Sequence, residues 1–106
     1  MPKYLFRGTY TAAGANGVMS EGGSSRSAAA AKLIESVGGT MEALYWTFGD
    51  DDFIVIADMP DQVAAAAVSM TVGGSGSLRV TTTPLMSAAD LDTAASRTVE
   101  YRPPGQ

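Results

Sequence analysis

The chain contains no cysteine and no histidine. The first absence excludes disulfides, thiolate nucleophiles and iron–sulfur ligation. The second removes the commonest general base near neutral pH, the usual haem ligand and the standard transition-metal ligand. An all-oxygen site for a hard cation remains chemically open, but no ligand spacing demands one, so neither a metal nor a cofactor is expected. Positive charge is also scarce. Seven Lys and Arg stand against eleven Asp and Glu, a net charge of −4, and no basic cluster supplies the footprint that nucleic-acid backbones and anionic membranes select. Neither partner is expected. No run approaches the roughly 20 apolar residues of a membrane span. Met1-Pro2-Lys3-Tyr4 leads directly into a strand pattern instead of a signal-peptide core, so the cytoplasm is the expected location.

What is present suits one small domain. Of 106 residues, 45% are hydrophobic and 17% charged, which is globular composition but enough for only a modest core. Further burial must come from another copy.

Tyr4 to Tyr10 reads as a first strand, with Tyr4, Phe6, Gly8 and Tyr10 on one face and Leu5, Arg7 and Thr9 on the other. Thr11 can cap a helix that Gly22 breaks, and Arg26 to Val37 carries Ala30, Leu33, Ile34 and Val37 at helical spacing before Gly38-Gly39. Met41 to Phe48 and Asp52 to Asp58 form a hairpin around Gly49-Asp50-Asp51. Pro60-Asp61 opens another helix, ended by Gly73-Gly74-Ser75-Gly76, and a fourth strand runs from Leu78 to Leu85. Ser87 and Asp90 offer an imperfect capping box for a last helix containing Leu91, Ala94 and Ala95, and the prolines of Tyr101 to Gln106 predict an extended tail.

The order β-α-β-β-α-β with an extra C-terminal helix is the ferredoxin-like, α+β arrangement. Residues 1–98 make the domain and 99–106 a Pro-rich tail. Helices on one face leave the other face of the sheet uncovered, and a second copy can cover it. For that face the fourth strand offers Arg79, Thr81 and Thr83, and the first strand Arg7 and Thr9. If Glu42 and Trp46 of the second strand share it, two copies enclose guanidinium, carboxylate, indole and hydroxyl groups suited to a small acidic molecule. The competing reading makes Arg7 and Arg79 cross-strand ion-pair partners of Glu42 or Asp58. Asp50, Asp51 and Asp52 read as a solvated turn, with a hard-cation site as the alternative. The loop at Gly22-Gly23-Ser24-Ser25-Arg26 precedes a helix and reads as cap and kink, with an anion site as the alternative.

Pro2-Lys3-Tyr4, Tyr10-Thr11, Gly38-Gly39, the Phe48-Gly49 to Asp52 hairpin, Pro60-Asp61 and Gly76-Ser77-Leu78-Arg79-Val80-Thr81-Thr82-Thr83 stand in an order that resembles the GYD-domain family of small bacterial proteins, from Tyr4 to about Thr98. Gly49 and Asp52 match the Gly-Tyr-Asp signature, while Asp51 stands where the signature has tyrosine. The resemblance implies a dimeric α/β-barrel, similar to a class that includes cofactor-free oxygenases, isomerases and haem proteins, and it implies no particular reaction.

Three functions are therefore expected to compete. The leading one is a homo-oligomer that binds a small molecule between open sheet faces through Arg7, Thr9, Glu42, Trp46, Arg79 and Thr81. The second is a cofactor-independent isomerase or oxygenase using Tyr10, Glu42 or Asp52 as acid–base groups, each needing burial to bring its pKa toward neutrality. The third is an assembly module in which Tyr101-Arg102-Pro103-Pro104 docks as an extended arm.

Overall fold

The computed structural model describes residues 1–106. Its elements are β1 (Lys3–Tyr10), α1 (Ala12–Glu21), α2 (Gly23–Glu35), β2 (Thr40–Trp46), β3 (Phe53–Asp58), α3 (Gln62–Gly74), β4 (Leu78–Leu85) and α4 (Ala88–Ser96). The strands form one antiparallel sheet in the order β2-β3-β1-β4, the ferredoxin-like α+β arrangement expected from the element order. The helices α1, α2 and α3 pack on a single face.

Local chemistry accounts for most boundaries. The Thr11 hydroxyl accepts the Gly14 amide and starts α1, the Asp61 carboxylate accepts the Ala64 amide and starts α3, and Ser87 with Asp90 closes a complete capping box on α4. The break between α1 and α2 sits at Gly22, whose φ of 89° lies where a side chain is disfavoured, so the chain turns there and resumes as a second helix. Gly73 and Gly74 fall inside the last turn of α3 instead of ending it, and Ser75 is the C-cap.

β1 alternates cleanly: Tyr4, Phe6 and Gly8 are buried against the helices, while Lys3, Arg7 and Thr9 point to the open side. Phe53, Val55 and Ala57 of β3, Ile34 of α2, Ala65 and Val68 of α3, Leu78 of β4 and Met59 complete the core. Burying each large apolar side chain contributes about 1.5–3 kcal/mol. Tyr10 and Phe53 pack with ring centroids 5.3 Å apart.

β2 departs from regular alternation. Met41 faces Ala57 but Ala43 faces Ile56, so Glu42 is an extra residue on the β2 side of the ladder, a β-bulge. Beyond it Leu44 and Trp46 face the helices, and Ala43 and Tyr45 face the open side.

The C-terminal segment stands apart from this body. Every residue from Pro84 to Gln106 is exposed, α4 buries none of its side chains, and no extended packing joins it to another element. The radius of gyration is 16.9 Å with a long axis of 57 Å, against about 13 Å expected for a compact domain of 100 residues. The tail is not extended to its end: the Gln106 amide bonds the Pro103 carbonyl at 3.1 Å, making a closing turn.

Candidate functional site

The register brings Arg7, Thr9, Arg79 and Thr81 together on the open face. Arg7 pairs with Thr81 and Thr9 with Arg79 across β1 and β4, so the two guanidinium groups stem from diagonal positions, separated at the backbone by about 7–8 Å. Asp51 Oδ2 lies 3.9 Å from Arg7 Nη1, and Arg79 has no ion-pair partner. Next to this polar corner the same face is apolar, with Ile54 and Tyr45 continuing the row of Arg7, and Ala43, Ile56, Leu5 and Thr83 forming the row beside it.

The cross-strand pairing of Arg7 or Arg79 with Glu42 or Asp58 does not form. Those carboxylates go to Lys3 instead, whose Nζ lies 3.2 Å from Glu42 Oε1 and 2.9 Å from Asp58 Oδ1. Hydrogen bonds to Asp58 first, and to Glu42, raise the Lys3 pKa above its ordinary 10.5. Glu42 is therefore on the open face, but at the Lys3 end of β1, separated from Thr9 by most of the strand.

Trp46 is not on the open face at all. Sequence parity groups it with Glu42, but the bulge reverses the alternation after Met41, and its indole turns to the helix side. There its Nε1–H donates to the Tyr10 hydroxyl at 3.1 Å. The three candidate acid–base groups are dispersed accordingly. Tyr10 is on the helix side, and Asp52 accepts the Tyr10 amide through Oδ2 at 2.8 Å. Glu42 lies toward the other end of β1, about 24 Å of strand away.

The aspartate run is a clasp on the end of β1, not a solvated turn. The Asp52 amide donates to the Gly8 carbonyl at 2.7 Å, the Thr9 hydroxyl reaches the Asp50 carbonyl at 3.3 Å, and the Thr47 hydroxyl bonds the Asp51 carbonyl. The Asp51 and Asp52 carboxylates face separate partners, Arg7 and the Tyr10 amide, and the three aspartates form no cluster able to hold a metal ion. At the other glycine-rich loop, Glu21 accepts one of the donors proposed for an anion, Ser25 Oγ, through Oε1 at 2.8 Å, while its ion pair with Arg26 is long, 3.7 Å from Nη1 to Oε2 and outside hydrogen-bond distance.

A second concavity was not foreseen from the sequence. On the helix side, α2 and α3 diverge and leave a cleft of about 100 Å³ above the sheet, walled by residues such as Phe6, Leu33, Leu44, Trp46, Phe53 and Val72. Its only sequence signal is the run of alanines on α2, whose small side chains at Ala29 and Ala30 line it.

With the sheet order, the hairpin clasp and the capped helices in place, the family is decided by a match to the GYD domain over residues 4–95. The chain belongs to the GYD domain family. The matched span covers all of the sheet except Lys3, takes in the helices packed on it, and ends within α4. No match emerges among curated proteins or among solved structures. In this GYD domain Asp51 of the β2–β3 hairpin reaches toward Arg7, so that hairpin borders the open-face arginines. No helix is long and apolar enough to cross a membrane.

Proposed function

We propose that this GYD domain works as a homo-oligomer closed through its open sheet face, and that a small acidic molecule is held there by Arg7 and Arg79 with hydroxyls from Thr9 and Thr81. One observation carries the reading. In a chain of net charge −4, two diagonal arginines have a single carboxylate, Asp51, 3.9 Å from Arg7, and Glu42 and Asp58, toward the other end of the strand, are taken by Lys3. A guanidinium pair with only one long carboxylate contact, beside an apolar sheet surface, suits a carboxylate or phosphate whose body is covered by a second sheet.

A covered face also matters energetically. Leu5, Ile54 and Ile56 are only partly buried and Tyr45 is 65% exposed, so a second copy adds apolar burial at about 25 cal/mol per Å². Binding is favoured over turnover because Tyr10, Glu42 and Asp52 do not gather around one reacting atom.

The test is calorimetric titration with succinate and with inorganic phosphate, paired with sedimentation equilibrium. The reading expects saturable binding, at least tenfold weaker in Arg79→Gln, and a mass above that of one chain. Equal affinity in Arg79→Gln and Arg7→Gln rejects the ligand site, and a monomer at all concentrations rejects the oligomer.

The exposed α4 supports a second reading, assembly through the C-terminal arm. A helix of nine residues is too short to persist alone in water, so a surface that buries Leu91 is required for it to hold. Unchanged oligomer mass after deletion of residues 87–106 rejects that role.

A further inference from the structure

We infer that the cleft between α2 and α3 is a second binding site, on the face opposite the arginine pair, and that its ligand is a single-ring aromatic carboxylate with the ring inside and the carboxylate at Arg26. The size of the cleft, its lining and two groups with N–H or O–H donors to spare select that ligand.

The size suits one ring. The enclosed volume is about 100 Å³ with an open mouth, and an apolar cavity of about 150 Å³ in another protein takes up benzene. The lining is apolar with an aromatic floor: of 16 residues around it, 14 are hydrophobic, and four of them, Phe6, Trp46, Phe53 and Tyr10, come from three adjacent strands. Such walls favour a flat π-system packed edge or face against them.

The polar groups then select the rest of the molecule. Trp46 Nε1–H donates to the Tyr10 hydroxyl, which leaves the phenolic proton itself available to a ligand atom, since the phenol donates to no protein group. Arg26 also lines the cleft. Its only anionic neighbour is Glu21 at 3.7 Å, beyond hydrogen-bond distance, so its paired N–H groups can take a carboxylate in bidentate fashion. A neutral hydrocarbon satisfies neither donor, and a compact inorganic anion leaves the apolar walls unfilled.

The chain has one tryptophan, and it lines the cleft, so its indole N–H resonance reports on the site directly. The experiment titrates the ¹⁵N-labelled full chain with 4-ethylbenzoate and, separately, with uncharged 4-ethylbenzamide. Saturable movement of the Trp46 indole peak with the benzoate is expected, with at least tenfold weaker binding for the amide and for Arg26→Gln. Ala30→Leu, which fills the cleft, is expected to abolish the response and raise the unfolding temperature of the free protein. Arg26→Gln changes a partly exposed side chain, so it keeps the test decisive if Ala30→Leu does not fold. Arg79→Gln is expected to leave this response intact, which separates the site from the one on the open face. Movement that does not saturate, or that is equal for the amide and in Arg26→Gln, overturns the inference. So does movement of the indole peak on deletion of residues 87–106 without any probe, because the occupant is then the chain's own C-terminal arm.

Discussion

Alanine at Gly14 and alanine at Gly17 are the same change three residues apart on α1, and the structure gives them opposite signs. Nothing lies within 4 Å of a Cβ built on Gly17, so Gly17→Ala should gain only the helix propensity of alanine, about 0.5–1 kcal/mol. A Cβ on Gly14 meets the Ser77 carbonyl oxygen at 1.9 Å and its carbon at 2.9 Å. That carbonyl cannot step aside freely, because it accepts the Thr11 amide at 3.0 Å and the Thr11 hydroxyl at 3.1 Å. Thr11 is in turn the N-cap whose hydroxyl accepts the Gly14 amide. Relieving the overlap means moving the start of α1 off the β4 approach. Overpacking of this kind costs about 1–3 kcal/mol, and a lost cap adds about 1 kcal/mol. Against a propensity gain below that sum, Gly14→Ala should destabilise by roughly 1–3 kcal/mol. At about 4–8 °C per kcal/mol for a domain of this size, thermal unfolding followed by circular dichroism should move upward for Gly17→Ala and downward for Gly14→Ala. A neutral or stabilising Gly14→Ala would refute the close approach of α1 to Ser77.

Three other changes have equally definite expectations. Thr82 Oγ1 is buried without a hydrogen-bond partner, so Thr82→Val, which keeps the shape and removes the hydroxyl, should stabilise by about 1 kcal/mol in denaturant titrations; destabilisation would mean that the hydroxyl has a partner in solution. Asp52→Ala removes the acceptor of the Tyr10 amide and should destabilise by about 1.5–3 kcal/mol, whereas Asp52→Asn retains an oxygen there and should lose distinctly less. Lys3 has a raised folded-state pKa, so its contribution is complete below the ordinary value and is lost as pH rises through the folded one. The difference in unfolding temperature between the parent chain and Lys3→Gln should accordingly shrink above pH 10.5, and a constant difference would show that the pair with Asp58 and Glu42 does not act through charge.

Local signals carried the architecture, and long-range ones decided the sites. Tyr4, Phe6 and Gly8 announce a half-buried strand by alternation alone, and Thr11, Asp61 and Ser87 announce helix starts through their own side chains. The arginine corner was legible for the same reason, since Arg7 and Thr9 share parity within β1, as do Arg79 and Thr81 within β4. The aspartate clasp was not legible. Its partners Arg7, Gly8, Thr9 and Tyr10 lie some forty residues earlier in the chain, and nothing in an Asp-Asp-Asp turn indicates that the end of another strand arrives beside it. The helix-side cleft depends on how far α2 and α3 diverge, which the alanines permit but do not fix. The missing packing of α4 is likewise invisible, because Leu91, Ala94 and Ala95 have the spacing of a docked helix whether or not a surface meets them.

The bulge at Glu42 is the one local feature that redirects function, and it can be tested by deletion. Because Met41 opposes Ala57 and Ala43 opposes Ile56, Glu42 is the residue without a place in a regular ladder. Removing it should let Met41 and Ala43 follow one another in plain alternation, with every later side chain kept on its present face. Trp46 should then remain against the helices with its indole bonded to Tyr10, and its emission should stay unshifted, although Lys3 loses one of its two carboxylates. Removing Leu44 also takes out the extra residue, but Ala43 must then turn inward into the place of Leu44 opposite Val55, so Trp46 keeps its face only with a core-packed leucine replaced by alanine, and the domain should lose about 2 kcal/mol or more. If deleting Glu42 costs as much stability as deleting Leu44, or exposes Trp46, the bulge is misplaced, and the assignment of tryptophan to the cleft and of the arginines to the opposite face falls with it.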